Sequence, residues 1–116
     1  MNPTMNMDLL VQIERELLSW PGVTKETRET DISDFDVTIY YVGRRQIGHI
    51  HHDGVADVLY PKAIQRQLIA DGKAGPHRGG FDGVVSYSIR DATDVPGAIE
   101  LFRMGYDRAM QRRAAA

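Results

Sequence analysis

Three of the four histidines in this chain fall within four positions, in the stretch QIGHIHHDGVADV at residues 46–58; the fourth is His77. On a strand, His49 and His51 project to one face with Ile47 beside them, while Gly48, Ile50 and His52 face the other way. Two imidazoles at that spacing can share a divalent metal. Asp57, Asp53 or His77 would complete a two-histidine, one-carboxylate set of the kind that suits non-haem iron. A neutral histidine beside a carboxylate can equally serve as a general base near neutral pH. The plainer alternative is polar surface, or a scaffold in which the imidazoles bond loop carbonyls and pin the Asp53–Gly54 turn, with Asp57 bonding loop amides. The candidate catalytic set is therefore His49, His51 and Asp57, and these three are also the ligands if a divalent metal is bound. No other cofactor is expected. His77 and Arg90 are the candidate ligand-binding residues. Arg90 closes a strand on the same face as Ser86 and Ser88, where a guanidinium could grip a carboxylate or phenolate by two prongs. Its alternative is an ion pair with Glu100 or with a neighbour of Asp91.

Other chemistries lack their residues. There is no cysteine, hence no thiolate nucleophile, thiolate zinc site or disulfide framework. Neither the phosphate-binding G-x-x-x-x-G-K-[ST] pattern nor G-x-G-x-x-G occurs. No G-x-S-x-G elbow is present, and Ser86 and Ser88 read as ordinary outward strand serines.

The elements that must position these residues follow from periodicity. Leu9, Ile13, Leu17 and Trp20 recur at helical spacing from Met7 to Ser19, with Leu10 and Leu18 widening the stripe, until Pro21-Gly22 stops it. Residues 23–30 suit a short exposed strand, and residues 31–36 a turn. The strand from Phe35 to Val42 places Phe35, Val37, Ile39 and Tyr41 on one face. Asp36, Thr38 and Tyr40 lie on the other, which with Val42 forms either a dimer surface or ground for the first helix. Gly43-Arg44-Arg45 turns this strand into a second, Gln46 to His51, as a hairpin. After the Asp53–Gly54 turn, Val58 to Tyr60 is a brief extended piece, so Asp57 precedes it. Pro61 suits the first turn of a helix running to Ala70 or Asp71, with Gly72 as its left-handed cap. Residues 73–83 form a glycine-rich loop. Val84 to Ile89 is a strand with Val85, Tyr87 and Ile89 inward. Thr93 or Asp94 caps the last helix, which buries Val95, Ile99, Phe102, Tyr106 and Ala109 or Met110. The class is α+β: an antiparallel sheet of about four to five strands, with three helices packed mainly on one face.

The chain has 116 residues, 42% apolar and 26% charged, the profile of a soluble globular domain. Residues 1–116 read as one domain, frayed at 1–6 and 112–116. Without an apolar run near the ~20 residues of a membrane span, and with no basic, apolar leader, the chain is expected to be cytoplasmic, with no membrane partner. A net charge of −2 argues against nucleic acid as a partner. The charge is uneven: residues 1–60 hold 5 Lys+Arg and 10 Asp+Glu, residues 61–116 hold 9 and 6. That is either a polarised surface or cations such as Arg108, Arg112 and Arg113 gathered at a helix C-terminus, where the dipole favours them. The chain is expected to be a monomer or a homodimer.

Four segments in order (residues 43–61, 67–77, 85–90 and 98–109) carry a resemblance to the luciferase-domain family. Its specific features are G-H-x-H-x-x-G-x-A-D, the G-x-A-x-P-H step and the closing helix with Tyr106. The resemblance implies that His49, His51, Gly54, Asp57, Pro61, His77 and Arg90 stand at motif positions. It also implies, through the family's name, an O2-dependent oxidoreductase acting on an aromatic small molecule, in which one histidine takes a proton from the substrate or two hold a metal. After His77 the chain departs from the pattern: a second histidine, a proline turn and a tryptophan are replaced by R-G-G-F-D-G-V at 78–84. A weaker likeness to the closing helix of MmcQ/YjbR-like domains covers only the last third and implies the same α+β architecture. The competing reading is a non-catalytic module that binds a small molecule or a protein, with the histidine cluster as scaffold.

Overall fold

The computed structural model describes residues 5–29 and 36–115; Thr30, the acidic turn at 31–35 with Phe35, and the outermost residues at 1–4 and 116 lie outside the described residues. In chain order the elements are α1 (Met7–Leu17), β1 (Val23–Arg28), β2 (Val37–Val42), β3 (Arg45–His51), β4 (Val55–Leu59), α2 (Lys62–Ala70), β5 (Gly75–Pro76), β6 (Val84–Ser88) and α3 (Val95–Ala115). The strands form one antiparallel sheet in the order β1-β2-β3-β4-β6-β5. Three helices and this sheet make an α+β fold with six strands rather than four or five. The sixth is two residues inside the expected glycine-rich loop, where Gly75 and Pro76 pair with Ser86 and Val85.

Local chemistry explains the boundaries. Asn6 caps α1, accepting from the Asp8 amide at 2.9 Å. Met5, just before the cap, is held: its amide donates to the His52 carbonyl at 2.8 Å and its side chain is buried. The helix closes at Leu17, so Leu18 sits exposed instead of widening the stripe. Gly72, at φ +72°, ends α2 as expected; Lys73 donates back to Leu68 and Gly72 to Ile69, the paired bonds of a left-handed cap. At the last helix the cap is neither Thr93 nor Asp94. Asp91 takes that place, accepting from the Thr93 amide while Asp94 reaches back to the Asp91 amide, and the single tight turn this closes runs straight into α3. The helix then continues through Arg112 and Arg113 to Ala115, past the expected fraying point.

The covered face of the sheet carries Tyr40, Val42, Ile50, Ala56, Val58 and Val85, packed with Leu9, Leu10, Ile13 and Leu17 of α1 and Leu101, Phe102 and Tyr106 of α3. Tyr40 meets Phe102 edge-on at 5.6 Å between ring centres. The face of β2 that holds Tyr40 and Val42 is thus neither a free surface nor ground for α1 alone, because Phe102 of α3 seats on it. Gly48 makes that seat: a Cβ there would stand 2.7 Å from both the Asp57 carbonyl oxygen and Phe102 Cε1.

The β2–β3 ladder slips by one residue between Tyr40 and Tyr41: Tyr40 opposes Gly48, but Tyr41 opposes Gln46. Ile47 is the extra residue of this bulge. It belongs to the core, 2% exposed, and does not lie beside His49 and His51. No described helix is long and apolar enough to cross a membrane.

Candidate functional site

Across the uncovered face, one row of directly opposed residues crosses the whole sheet: Glu26, Ile39, His49, Asp57, Ser86 and Gly75. Opposed residues of an antiparallel pair share a face, so Asp57 is set between His49 on one neighbouring strand and Ser86 on the other. This needs Asp57 inside β4, and β4 runs from Val55 to Leu59. The strand starts at Val55, ahead of the extended piece expected at Val58–Tyr60, because a strand interrupted by a carboxylate, VADVL, gives little alternation to read.

Asp57 is fully buried. Its Oδ2 lies 3.2 Å from His49 Nε2 and 3.0 Å from His51 Nε2, and its Oδ1 accepts from Ser86 Oγ at 2.6 Å. His77 Nε2 stands 3.6 Å from the same Oδ2. The His49 and His51 rings meet edge to face, 4.8 Å apart at 87°. Burial alone would raise the Asp57 carboxyl. The bonds from His49, His51 and Ser86, with the charge of His49, outweigh it and hold the group far below the ordinary carboxylate range.

The outer nitrogens decide what each histidine can do. His49 Nδ1 lies 2.8 Å from Gln46 Oε1, and with that amide oxygen turned to the ring Nδ1 carries the proton. A neutral His49 then turns a bare Nε2 lone pair toward a carboxylate oxygen, and only a cation between them, a proton or a metal, makes that arrangement attractive. His77 is fixed the opposite way. Its Nδ1 accepts from the Gly79 amide at 2.9 Å and from the Phe81 amide at 3.5 Å, which leaves the proton on Nε2, facing Asp57. His77 is therefore a donor to the site in this arrangement and not a ligand.

Of the residues singled out from sequence, the fold brings His49, His51, Asp57 and His77 together. Arg90 stays apart: its side chain is 81% exposed and its nearest acid is Asp94, 3.9 Å away. His52 faces the covered side, with Nε2 2.9 Å from Thr38 Oγ1. Asp53 is not the third member of the cluster; Arg78 takes it at 2.6 and 3.4 Å, tying the His77 loop to the turn beside the site. Three contributors were missed. Ser86 was read as an ordinary outward serine, and outward from the core is toward Asp57. Gln46 reaches His49 only because the bulge at Ile47 puts positions 46 and 49 on one face. Phe81, 68% exposed, packs 5.2 Å from the His77 ring and had no sequence signal beyond its glycine-rich setting.

His49, His51 and Asp57 offer three donor atoms that all lie within 4.8 Å of one another. For an ion with bonds of about 2.1 Å, neighbouring ligand atoms stand about 3.0 Å apart at right angles and about 3.4 Å apart in a tetrahedron; the two carboxylate–imidazole separations, 3.0 and 3.2 Å, fall in that range, and the imidazole pair would have to close from its wider spacing, within 4.8 Å, to grip such an ion. Gln46 on Nδ1 of His49 and Ser86 on the far carboxylate oxygen are outer partners of the kind such a set uses, for one imidazole and for the carboxylate. The family model of the luciferase domain matches residues 44–105, more than half of the chain, and spans the whole cluster. No curated protein and no solved structure matches the chain.

Proposed function

The chain belongs to the luciferase-domain family, and from that premise we propose that its uncovered sheet face is a divalent-metal site for O2-dependent oxidation of an aromatic small molecule. The observation that carries the metal is the convergence of two Nε2 atoms, at 3.0 and 3.2 Å, on one oxygen of a buried carboxylate. His49 Nε2, His51 Nε2 and Asp57 Oδ2 would hold the ion and leave its outward positions open, as the half-exposed imidazoles require. When bound, such an ion supplies redox chemistry with oxygen that no side chain of this chain can provide. The chain's own part is placement and proton handling. Ser86 fixes Oδ1 so that Oδ2 alone faces the imidazoles; Gln46 fixes the His49 tautomer; His77 presents an Nε2–H to whatever anionic oxygen approaches. Phe81 offers an exposed ring beside His77 on which a flat ligand can stack. In this reading the working compartment is the cytoplasm.

One observation favours the scaffold reading instead: Ser86 and His51 stand at donor distance from Asp57, and a protonated His49 would complete a closed ion-paired network without any metal. Metal content of the purified protein, with metal titration of its Tm, separates the two. The first reading expects a near-stoichiometric divalent metal, a rise of roughly 2.7 kcal/mol in stability at a hundredfold excess over Kd, and loss of both in His49→Ala/His51→Ala. It then expects oxygen uptake with a phenolic substrate that the double variant lacks. No metal and no Tm response in the native chain would sink it, and a lowered Tm in the double variant would leave the histidines as scaffold.

A further inference from the structure

A cavity of about 480 Å³ opens where the second half of α3 passes the start of β3 and the end of β4, sharing Gln46 with the histidine cluster. That volume is in the range of small-molecule sites. Arg45 from β3 and Arg108 and Arg112 from α3 line it, over a floor that includes Ile47, Tyr60 and Ala109. No acidic side chain lines it. None of the three guanidinium groups has an ion-pair partner among the described residues. The helix dipole accounts for cations at this end of α3. It does not account for Arg45, which arrives from the sheet, or for the lack of any neutralising acid around an apolar hollow. Three uncompensated positive groups beside an apolar cavity make a receptor for a molecule with an anionic head and an apolar body.

We propose that this cavity binds a small organic carboxylate, its head held by Arg45, Arg108 and Arg112 and its body laid over Ile47, Tyr60 and Ala109. None of His49, His51, Asp57 and His77 lines this cavity, which meets the cluster through Gln46, and the proposal stands whether or not a metal binds there. A free inorganic anion shares the head-group chemistry but leaves the apolar floor unused.

The test is calorimetric titration of the full chain with 2-naphthoate, inorganic phosphate and 2-naphthamide. Naphthoate is expected to saturate one site, and the other two to bind about tenfold more weakly or worse, the loss of one good charged or apolar contact. Arg108→Gln and Arg112→Gln should each weaken naphthoate about tenfold. Arg45→Gln, at an exposed position where folding is not at stake, should do the same. His49→Ala/His51→Ala should bind it as the parent does. Absence of saturable naphthoate binding, binding indifferent to all three arginine variants, or binding lost in the double histidine variant would each overturn the proposal. Phosphate binding as tight as naphthoate would overturn the carboxylate-with-apolar-body assignment.

Discussion

On β3, Gly48 and Ile50 turn toward the helices while His49 and His51 turn away, and the strand serves two environments held together by different physics. The covered face is apolar and redundant: Tyr40, Val58 and Val85 are each fully buried among many partners. The uncovered face has one fully buried polar anchor, Asp57, and His49, His51, Ser86 and His77 converge on it. Burial of apolar surface is non-directional and tolerates exchange among shapes. A buried carboxylate is directional and tolerates almost none, because each lost donor leaves an uncompensated charge. The folding energy should therefore be concentrated behind the sheet and the chemistry in front of it.

The largest test of that division is Phe102→Ala. Phe102 is fully buried and fills the space over Gly48 against Tyr40. Its truncation should cost about 4 kcal/mol in chemical denaturation while the folded fraction keeps the metal affinity of the parent. A metal affinity that falls with it would show that the two faces are not independent.

Next is Asp57→Asn, with an expected cost of about 3 kcal/mol, at the low end for breaking a buried charged pair because His49 and His51 remain partly hydrated. Its pH dependence sharpens the comparison. The folded-state pKa of Asp57 is depressed, so its contribution is complete above the unfolded carboxylate value of about 4 and is lost as pH falls through the much lower folded value. The stability gap between parent and Asp57→Asn should therefore be widest near neutral pH and narrow below about pH 4. A gap that widens in acid would contradict the Asp57 network. No such pH signature is expected for Phe102→Ala.

The two faces were unequally legible in the sequence. Apolar recurrence placed α1, α3 and their core, because a helix stripe averages over many residues and survives a mistake at any one, as Leu18 shows. On the other face, His49 and His51 were legible as a pair because two-residue spacing is local. Gln46 was not, since a one-residue bulge shifts the period and nothing in QIGHIH announces it. Asp57 was legible as a partner but not as a strand residue, because a buried carboxylate breaks the alternation by which strands are recognised. Ser86 was assigned the correct face and the wrong environment: alternation tells in from out, but not what waits outside. His77 reaches Asp57 through pairing of β5 with β6 and the Arg78–Asp53 tie, both tertiary. Arg90 shares a strand phase with Ser86 yet ends at solvent beside Asp94, since phase does not determine where a strand stops.

Ser86→Ala should have a middle-sized effect. It removes a 2.6 Å bond to an ionised oxygen and should cost about 2 kcal/mol, with Oδ1 left unheld. In the metal reading it should also weaken metal binding roughly tenfold, as loss of an outer partner does. In the scaffold reading only stability moves, so one variant measured by denaturation and by metal titration discriminates between them.

The smallest effect should come from Tyr40→Phe, and its sign makes it informative. The Tyr40 hydroxyl is buried on the covered face with no partner in hydrogen-bond geometry among the described residues, and burial, with the Glu14 carboxylate nearby, pushes its pKa well above the ordinary range. An apolar environment stabilises the ring and penalises the oxygen. Removing that oxygen should leave stability unchanged or raise it by up to about 1 kcal/mol, with the Phe102 contact intact. The same isosteric removal of a polar group at Ser86 or Asp57 is expected to destabilise. Opposite signs for one chemical change on the two sides of a single sheet would establish that the covered face is held by burial and the uncovered face by directed bonds. A loss above about 1 kcal/mol in Tyr40→Phe would show instead that the covered face depends on a directed bond too, and the contrast between the faces would fail on the helix side.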